Sequence, residues 1–261
     1  MKRTLLSFIP KDIPGKFQPL VKNADIYDSS CSPEANVYFI DRDGGFYLKR
    51  SALGTLSTEA EMTKYFYHIG LGAEVVDYVS EESDWILSRR APGEDCTYHR
   101  YLEDPKRLSA YLGEILRQLH ERSYAGCPVQ NRTEIYKSTV EDNYRTGNYD
   151  KSQFPDSFGY RSADEAYRVY CDGREGLRTD VLIHGDYCLP NIMLDDWKLS
   201  AFIDVGNGGA GDRHIDLFWG VWTLWFNLKT FEYTDRFLDA YGTDAVEREM
   251  LRVVAAAEVF G

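Results

Sequence analysis

Apolar and polar residues alternate most clearly in the first ninety positions. Asn36-Val37-Tyr38-Phe39-Ile40 and Phe46-Tyr47-Leu48-Lys49 flank the polar, glycine-bearing run Asp41-Arg42-Asp43-Gly44-Gly45, the pattern of a β-hairpin. A helix is predicted from Ser57 to His68. Thr58 is its expected N-cap, Glu59 and Glu61 lie in its first turn, and Met62, Tyr65 and Phe66 form its apolar face. Ala73 to Val79 and Ser83 to Ser88 read as two more strands. Pro92-Gly93 ends this regime, and helical spacing takes over with Leu108, Leu112, Ile115, Leu116 and Leu119. The stretch from Gln130 to Gly159 is polar and reads as turn-rich, ahead of a short segment at Asp164–Val169. Val181-Leu182-Ile183 is a buried-strand pattern, and Ile192–Leu194 with Leu199–Ile203 around Asp195-Asp196 is a second hairpin. Apolar helical segments follow at Leu217–Leu228, Asp235–Tyr241 and Ala245–Val259.

This order predicts an α+β protein of two lobes. Residues 1–91 form a β-rich lobe with a joining segment, and residues 92–261 form a helical lobe. The 261 residues, 43% of them hydrophobic, suffice for a sizeable core in each. No apolar run approaches the roughly 20 residues of a membrane span, and the N-terminus has too short an apolar core for a signal peptide. Cys31, Cys96, Cys127, Cys171 and Cys188 are odd in number and scattered, which argues against a disulfide framework or zinc site and fits a cytoplasmic protein. The formal net charge of −12 disfavours nucleic acid and anionic membrane as partners. A soluble monomer is expected.

The densest chemistry lies between His184 and Asp216. His184-Gly185-Asp186-Tyr187-Cys188-Leu189-Pro190-Asn191 precedes the second hairpin, and Ile203-Asp204-Val205-Gly206 follows it. Asp186 suits a residue that accepts the proton of a substrate hydroxyl, while Asn191 and Asp204 supply hard oxygen donors for Mg²⁺. Gly185 permits a tight turn, His184 braces the loop, and Cys188 packs within it. Lys49, at the end of a strand, suits the α- and β-phosphates of a nucleotide, with Glu59 or its neighbour Glu61 as ion-pair partner. Ser30 to Ala35, with the Ser32 hydroxyl, is a candidate phosphate-covering loop without the G-x-G-x-x-G pattern. Asp216 is placed to cap a helix or brace the loop, and Trp222 and Trp225 read as packing residues.

Together these motifs resemble the aminoglycoside phosphotransferase family, most closely its 3′-phosphotransferase branch. H-G-D-x-x-x-P-N spans His184–Asn191, and I-D-x-G-x-x-G-x-x-D-x-x-x-D spans Ile203–Asp216. Lys49, Glu59-Ala60, Trp85 to Gly93 and F-L-x-x-Y-G at Phe237–Gly242 match further positions. The resemblance implies a protein-kinase-like fold and transfer of the ATP γ-phosphate to a hydroxyl of a cationic antibiotic. Asp186 would be the base and Asn191 with Asp204 the magnesium ligands. Lys49 with Glu59 would anchor phosphate, and the backbone of Arg89, Arg90 and Ala91 would read adenine. Asp150, Asp156, Glu258 and Phe260 are the matching substrate positions.

The acidic loop and chain end carry fewer carboxylates than the family pattern, and the helix at Trp219–Phe226 is aromatic and uncharged. Two other readings therefore stand beside the aminoglycoside. One is a kinase of another small hydroxyl compound, such as an amino alcohol, a sugar or a different antibiotic. The other is a catalytically silent nucleotide-binding regulator.

Overall fold

The strands on either side of Asp41–Gly45 lie at the middle of an antiparallel sheet in the computed structural model, which describes residues 3–10, 12–31, 35–149 and 159–261. Among these residues the chain begins with β1 (Thr4–Leu5), α1 (Gln18–Val21), β2 (Asp25–Asp28), β3 (Asn36–Asp41), β4 (Phe46–Ser51), α2 (Ser57–His68), β5 (Val75–Ser80), β6 (Asp84–Arg89) and β7 (Glu94–Asp95). It continues with α3 (His99–Leu102), α4 (Pro105–His120), α5 (Arg132–Thr146), α6 (Ala163–Gly173), β8 (Val181–Ile183), β9 (Ile192–Asp195), β10 (Lys198–Phe202), β11 (Gly209–Gly211), α7 (Arg213–Leu228), α8 (Thr234–Tyr241) and α9 (Arg248–Ala257). The architecture is α+β. Two compact units comprise Met1–Tyr98 with Pro190–Gly206, and His99–Leu189 with Asn207–Gly261.

In the first unit the sheet order is β1-β2-β3-β4-β6-β5, every neighbour antiparallel. Phe46 and Leu48 of β4 turn into a core with Ile26, Ile40, Trp85 and Leu87, which puts Tyr47 and Lys49 on the other face. A smaller sheet, β10-β9-β7, joins the hairpin to the segment after Pro92. Asp196 and Trp197 turn the hairpin with φ of 47° and 64°, the pair of left-handed residues that a two-residue type I′ connection requires. Pairing of Glu94 with Leu194 and Asp95 with Met193 explains why this unit extends to Tyr98 and includes the hairpin, where the sequence pattern put the change at Ala91–Pro92.

Helix α2 has its expected bounds, but Thr58 is not its cap. Leu56 occupies that position and its amide donates to Asp84 Oδ2 at 2.9 Å, so a buried carboxylate from β6 satisfies the helix start. Burial alone would raise the Asp84 pKa. Hydrogen bonds from Ser80 and from the Gly54 and Leu56 amides outweigh it and lower the value.

The second unit is helical around a pair of short strands, β8 and β11. Its largest departure from expectation is α5, a 15-residue helix where the polar stretch reads as turns. Tyr136, Val140 and Tyr144, four residues apart, supply a narrow apolar stripe against the core of Tyr170, Val254 and Phe260. Gly147, at φ 72°, ends the helix in the left-handed conformation. No helix among the described residues is long and apolar enough to cross a membrane.

Candidate active site

Chemistry-bearing residues collect in each unit. In the first, Lys49 projects from β4 and donates to both oxygens of Glu59 on α2, at 2.9 and 2.7 Å. Glu61 is exposed, which decides between the two acids. The same Lys49 Nζ lies 2.7 Å from Asp204 Oδ1. Burial would lower the Lys49 pKa, but the Asp204 and Glu59 carboxylates outweigh it and raise the value. Asp204 directly follows Ile203, whose amide donates to the Asn191 carbonyl at 3.0 Å. At φ 59°, Asp204 is a non-glycine residue in the left-handed region, a sparsely populated conformation that clusters at functional sites. Gly206 passes so near Glu59 that an added Cβ would lie 3.2 Å from that side chain.

Asn191 and Asp204 would offer a metal ion one amide and one carboxylate oxygen. Such a pair fits magnesium, which binds through one or two protein oxygens and completes its shell with phosphate and water. Among the described residues no group of three or more His, Cys, Asp or Glu side chains forms a richer metal cage.

The expected adenine-reading segment is only partly open. The Arg89 and Arg90 amides are occupied by the carbonyls of Glu74 and Gly45, at 2.9 and 3.0 Å. Their side chains pair with Glu74 and Glu94. Ala91 instead joins an apolar cluster with Ala73, Met193 and Ala201, against which Ile203 packs. Ser32 lies outside the described residues.

In the second unit the loop from His184 to Leu189 follows β8. Its Gly185 has φ 85°, and a Cβ there would collide with the Asn207 carbonyl. The fully buried Asp216 of α7 accepts the His184 and Gly185 amides, each at 2.7 Å, and so braces the loop; Asp212 caps the helix instead. The Tyr187 hydroxyl donates to the Leu112 carbonyl and the Leu189 amide to Thr223 Oγ1. His184 Nδ1 accepts the Asp186 amide at 3.2 Å. These bonds leave Asp186 half-buried at the tip of a loop held from α4 and α7. Burial among apolar atoms pushes the Cys188 thiol well above its ordinary value, which makes it a packing group.

Glu258, just after α9, is half-buried. Burial pushes its pKa up to about 8; hydrogen bonds from Tyr136 and Trp219 oppose the shift and the charge of Asp186 adds to it. Tyr136 Oη is 2.9 Å from Glu258 Oε1. Phe260, expected to face substrate, is fully buried. Tyr144, Tyr149 and Tyr167 meet it edge-on, and its carbonyl accepts Asn143 Nδ2, so its ring anchors the chain end that carries Glu258. Asp150 and Asp156 lie outside the described residues. On α7 the Trp219, Trp222 and Trp225 rings meet edge-on, and the buried Trp222 Nε1 has no hydrogen-bond partner.

Sequence reading did not single out Asp84, His120, Tyr136 or Trp219. Each acts through a partner distant in the chain, and none sits in a recognisable motif.

A family model described as the phosphotransferase enzyme family matches residues 30–253. The chain belongs to that family, whose members transfer phosphoryl groups. It is 48% identical over 242 residues, 92% of each chain, to a probable aminoglycoside 3′-phosphotransferase of Lactococcus lactis subsp. lactis (strain IL1403). An aminoglycoside 3′-phosphotransferase of Niallia circulans is 25% identical over 177 residues, 68% of this chain and 67% of that one. Among solved structures, aminoglycoside phosphotransferase APH(3″)-Id from Streptomyces rimosus ATCC10970 superposes with a TM-score of 0.73 at 21% identity, covering 88% of this chain and 91% of that one. An aminoglycoside-3′-phosphotransferase of type VIII gives 0.68 at 23% identity, covering 91% and 94%. The fold is that of these kinase-like enzymes.

Proposed function

We propose that the protein transfers the γ-phosphoryl group of ATP, with Mg²⁺, to a hydroxyl of an aminoglycoside, at the 3′ position, and so inactivates the antibiotic. The observation that carries the acceptor class is a second, half-buried carboxylate, Glu258, within electrostatic range of Asp186. The negative charge of Asp186 disfavours that of Glu258, and a cation bound beside them would relieve this. An acceptor bearing ammonium groups supplies that cation next to the hydroxyl that Asp186 would orient. The 48%-identical relative supports the same reading, as does the structural neighbour solved with ADP and streptomycin.

In this mechanism Asp186 accepts a hydrogen bond from the acceptor hydroxyl and aligns its oxygen with the γ-phosphorus. The new O–P bond forms as the bond to the β-γ bridging oxygen breaks, and the hydroxyl proton passes to Asp186 late in the step. Lys49, held by Glu59, would meet the α- and β-phosphates, and the apolar cluster of Ala91 and Met193 would lie against the base. Magnesium on Asn191 and Asp204 would neutralise charge on the phosphate oxygens.

A second reading, a less cationic hydroxyl compound, draws on the aromatic α7, which carries no acid between Asp216 and Leu228. The test is incubation of the purified protein with ATP, Mg²⁺ and a panel of kanamycin-like aminoglycosides, amino alcohols and neutral sugars. Products are located by phosphorus NMR. A 3′-phosphorylated aminoglycoside, lost in Asp186→Ala while ATP still binds, is the expected result. Turnover of neutral alcohols alone overturns the acceptor assignment. ATP binding without turnover across the panel points to the silent regulator.

A further inference from the structure

The motif Phe237–Gly242 matches the family, yet it lies on α8 and contributes nothing to the site as described so far. Its tyrosine nevertheless connects to the loop carrying Asp186. Tyr241 Oη lies 2.8 Å from His120 Nδ1, and His120 Nε2 lies 3.1 Å from Asp216 Oδ2. Asp216 in turn holds the His184 and Gly185 amides. Tyr241, His120 and Asp216 are all essentially withdrawn from solvent, so water cannot replace any of these bonds.

We infer that Tyr241 is a positioning residue for phosphoryl transfer, acting through His120 on the Asp216 carboxylate that sets the backbone of the Asp186 loop. This rests on the phosphotransferase reading of Asp186. The Asp216 carboxylate can only accept, so the His120 nitrogen that faces it, Nε2, is a donor. In the neutral ring Nδ1 then carries the lone pair and accepts the Tyr241 O–H. His120 therefore carries its proton on Nε2 and presents a donor to Asp216. The carboxylate thus receives three donors: one imidazole N–H and two loop amides. Without the tyrosine hydroxyl Nδ1 loses its hydrogen-bond partner in a dry site, and the ring is no longer held in the orientation that presents Nε2–H to Asp216. The geometry that puts Tyr241 there is itself close-packed. Gly113 of α4 lies so near the Phe237 carbonyl and the Tyr241 amide that no Cβ fits, and Gly220 of α7 does the same against the Phe237 ring. The motif's aromatic residues therefore lock α8 against the two helices that hold the loop.

The test compares Tyr241→Phe, His120→Leu, His120→Gln and the Tyr241→Phe/His120→Leu double variant, assayed well below their melting temperatures. Tyr241→Phe should lower kcat about tenfold with both KM values nearly unchanged, because ground-state binding does not depend on the loop's fine position. The Gly185 amide should exchange with solvent faster, read by mass spectrometry with no acceptor present. His120→Gln, which keeps an N–H for Asp216, should recover much of the activity lost in His120→Leu. Adding Tyr241→Phe to His120→Leu should have no further effect on kcat. Unchanged kcat and unchanged Gly185 exchange in Tyr241→Phe overturn the inference, as does an undiminished effect of that substitution in the His120→Leu background. The exchange measurement still decides if His120→Leu does not fold. It also stands apart from the acceptor assignment, since it needs no turnover.

Discussion

Lys49 Nζ lies 2.7 Å from Asp204 Oδ1, across 155 positions of chain. The lysine proposed to meet nucleotide phosphates thus neutralises the carboxylate proposed to hold magnesium, and it pairs with Glu59 as well. One ammonium shared by two carboxylates leaves the cluster with a net negative formal charge.

Removing that ammonium should therefore separate two effects. Lys49→Met should raise the KM for ATP by about tenfold or more through loss of a charge-assisted contact. The same variant should bind Mn²⁺ more tightly than the wild type without nucleotide, measured by electron paramagnetic resonance titration. Unchanged Mn²⁺ affinity would show that Asp204 and Lys49 do not compete for the same charge.

Asp84 supports α2 from a distance, and α2 carries Glu59. Asp84→Ala should lower the unfolding free energy by about 1–3 kcal/mol, the effect of leaving buried amide donors unsatisfied. Urea denaturation with an unchanged m-value would report it. The wild-type contribution has a definite pH sign. The folded-state pKa is depressed, so this stability is present above the ordinary carboxylate range and is lost as pH falls through the folded value.

Glu258 behaves in the opposite sense. Its folded-state pKa of about 8 lies above the ordinary value of 4.5, so the folded protein binds the extra proton between those pH values. Stability from this group is complete below the ordinary value and declines as pH rises toward about 8. Glu258→Gln should flatten that decline in denaturation curves recorded across the range. Aminoglycoside affinity in the wild type should rise over the same interval as the carboxylate ionises, measured by calorimetry in buffers of different ionisation enthalpy. A pH-independent affinity would count against a role for Glu258 in cation binding.

Gly185 should tolerate no side chain. Gly185→Ala combines a left-handed backbone with a collision against the Asn207 carbonyl. Loss of phosphoryl transfer with retained ATP binding is expected, assayed alongside the melting temperature.

The elements with strong periodicity were readable directly. The hairpin around Asp41–Gly45, α2 and the Leu108–Leu119 helix follow from patterns confined to a few turns of chain. Helix α5 was hidden because only one narrow stripe of it is apolar, and that stripe gains meaning only when Phe260 and Tyr170 are packed beside it. Phe260 shows the same limit from the other side: a motif position gives its identity, while burial gives its role.

From the sequence alone came the reaction class. Asp186, Asn191 and Asp204 lie in contiguous motifs whose spacing is a local property, and the hydrophobic period specified the α+β order around them. Tertiary structure decided which acid meets Lys49, what caps α2, how Glu258 comes to be held by Tyr136, and how Tyr241 is tied through His120 to Asp216 and the loop carrying Asp186. Those are consequences of burial and of contacts between distant segments. Desolvation and hydrogen-bond satisfaction depend on which groups surround an atom in space, and no short stretch of chain records that.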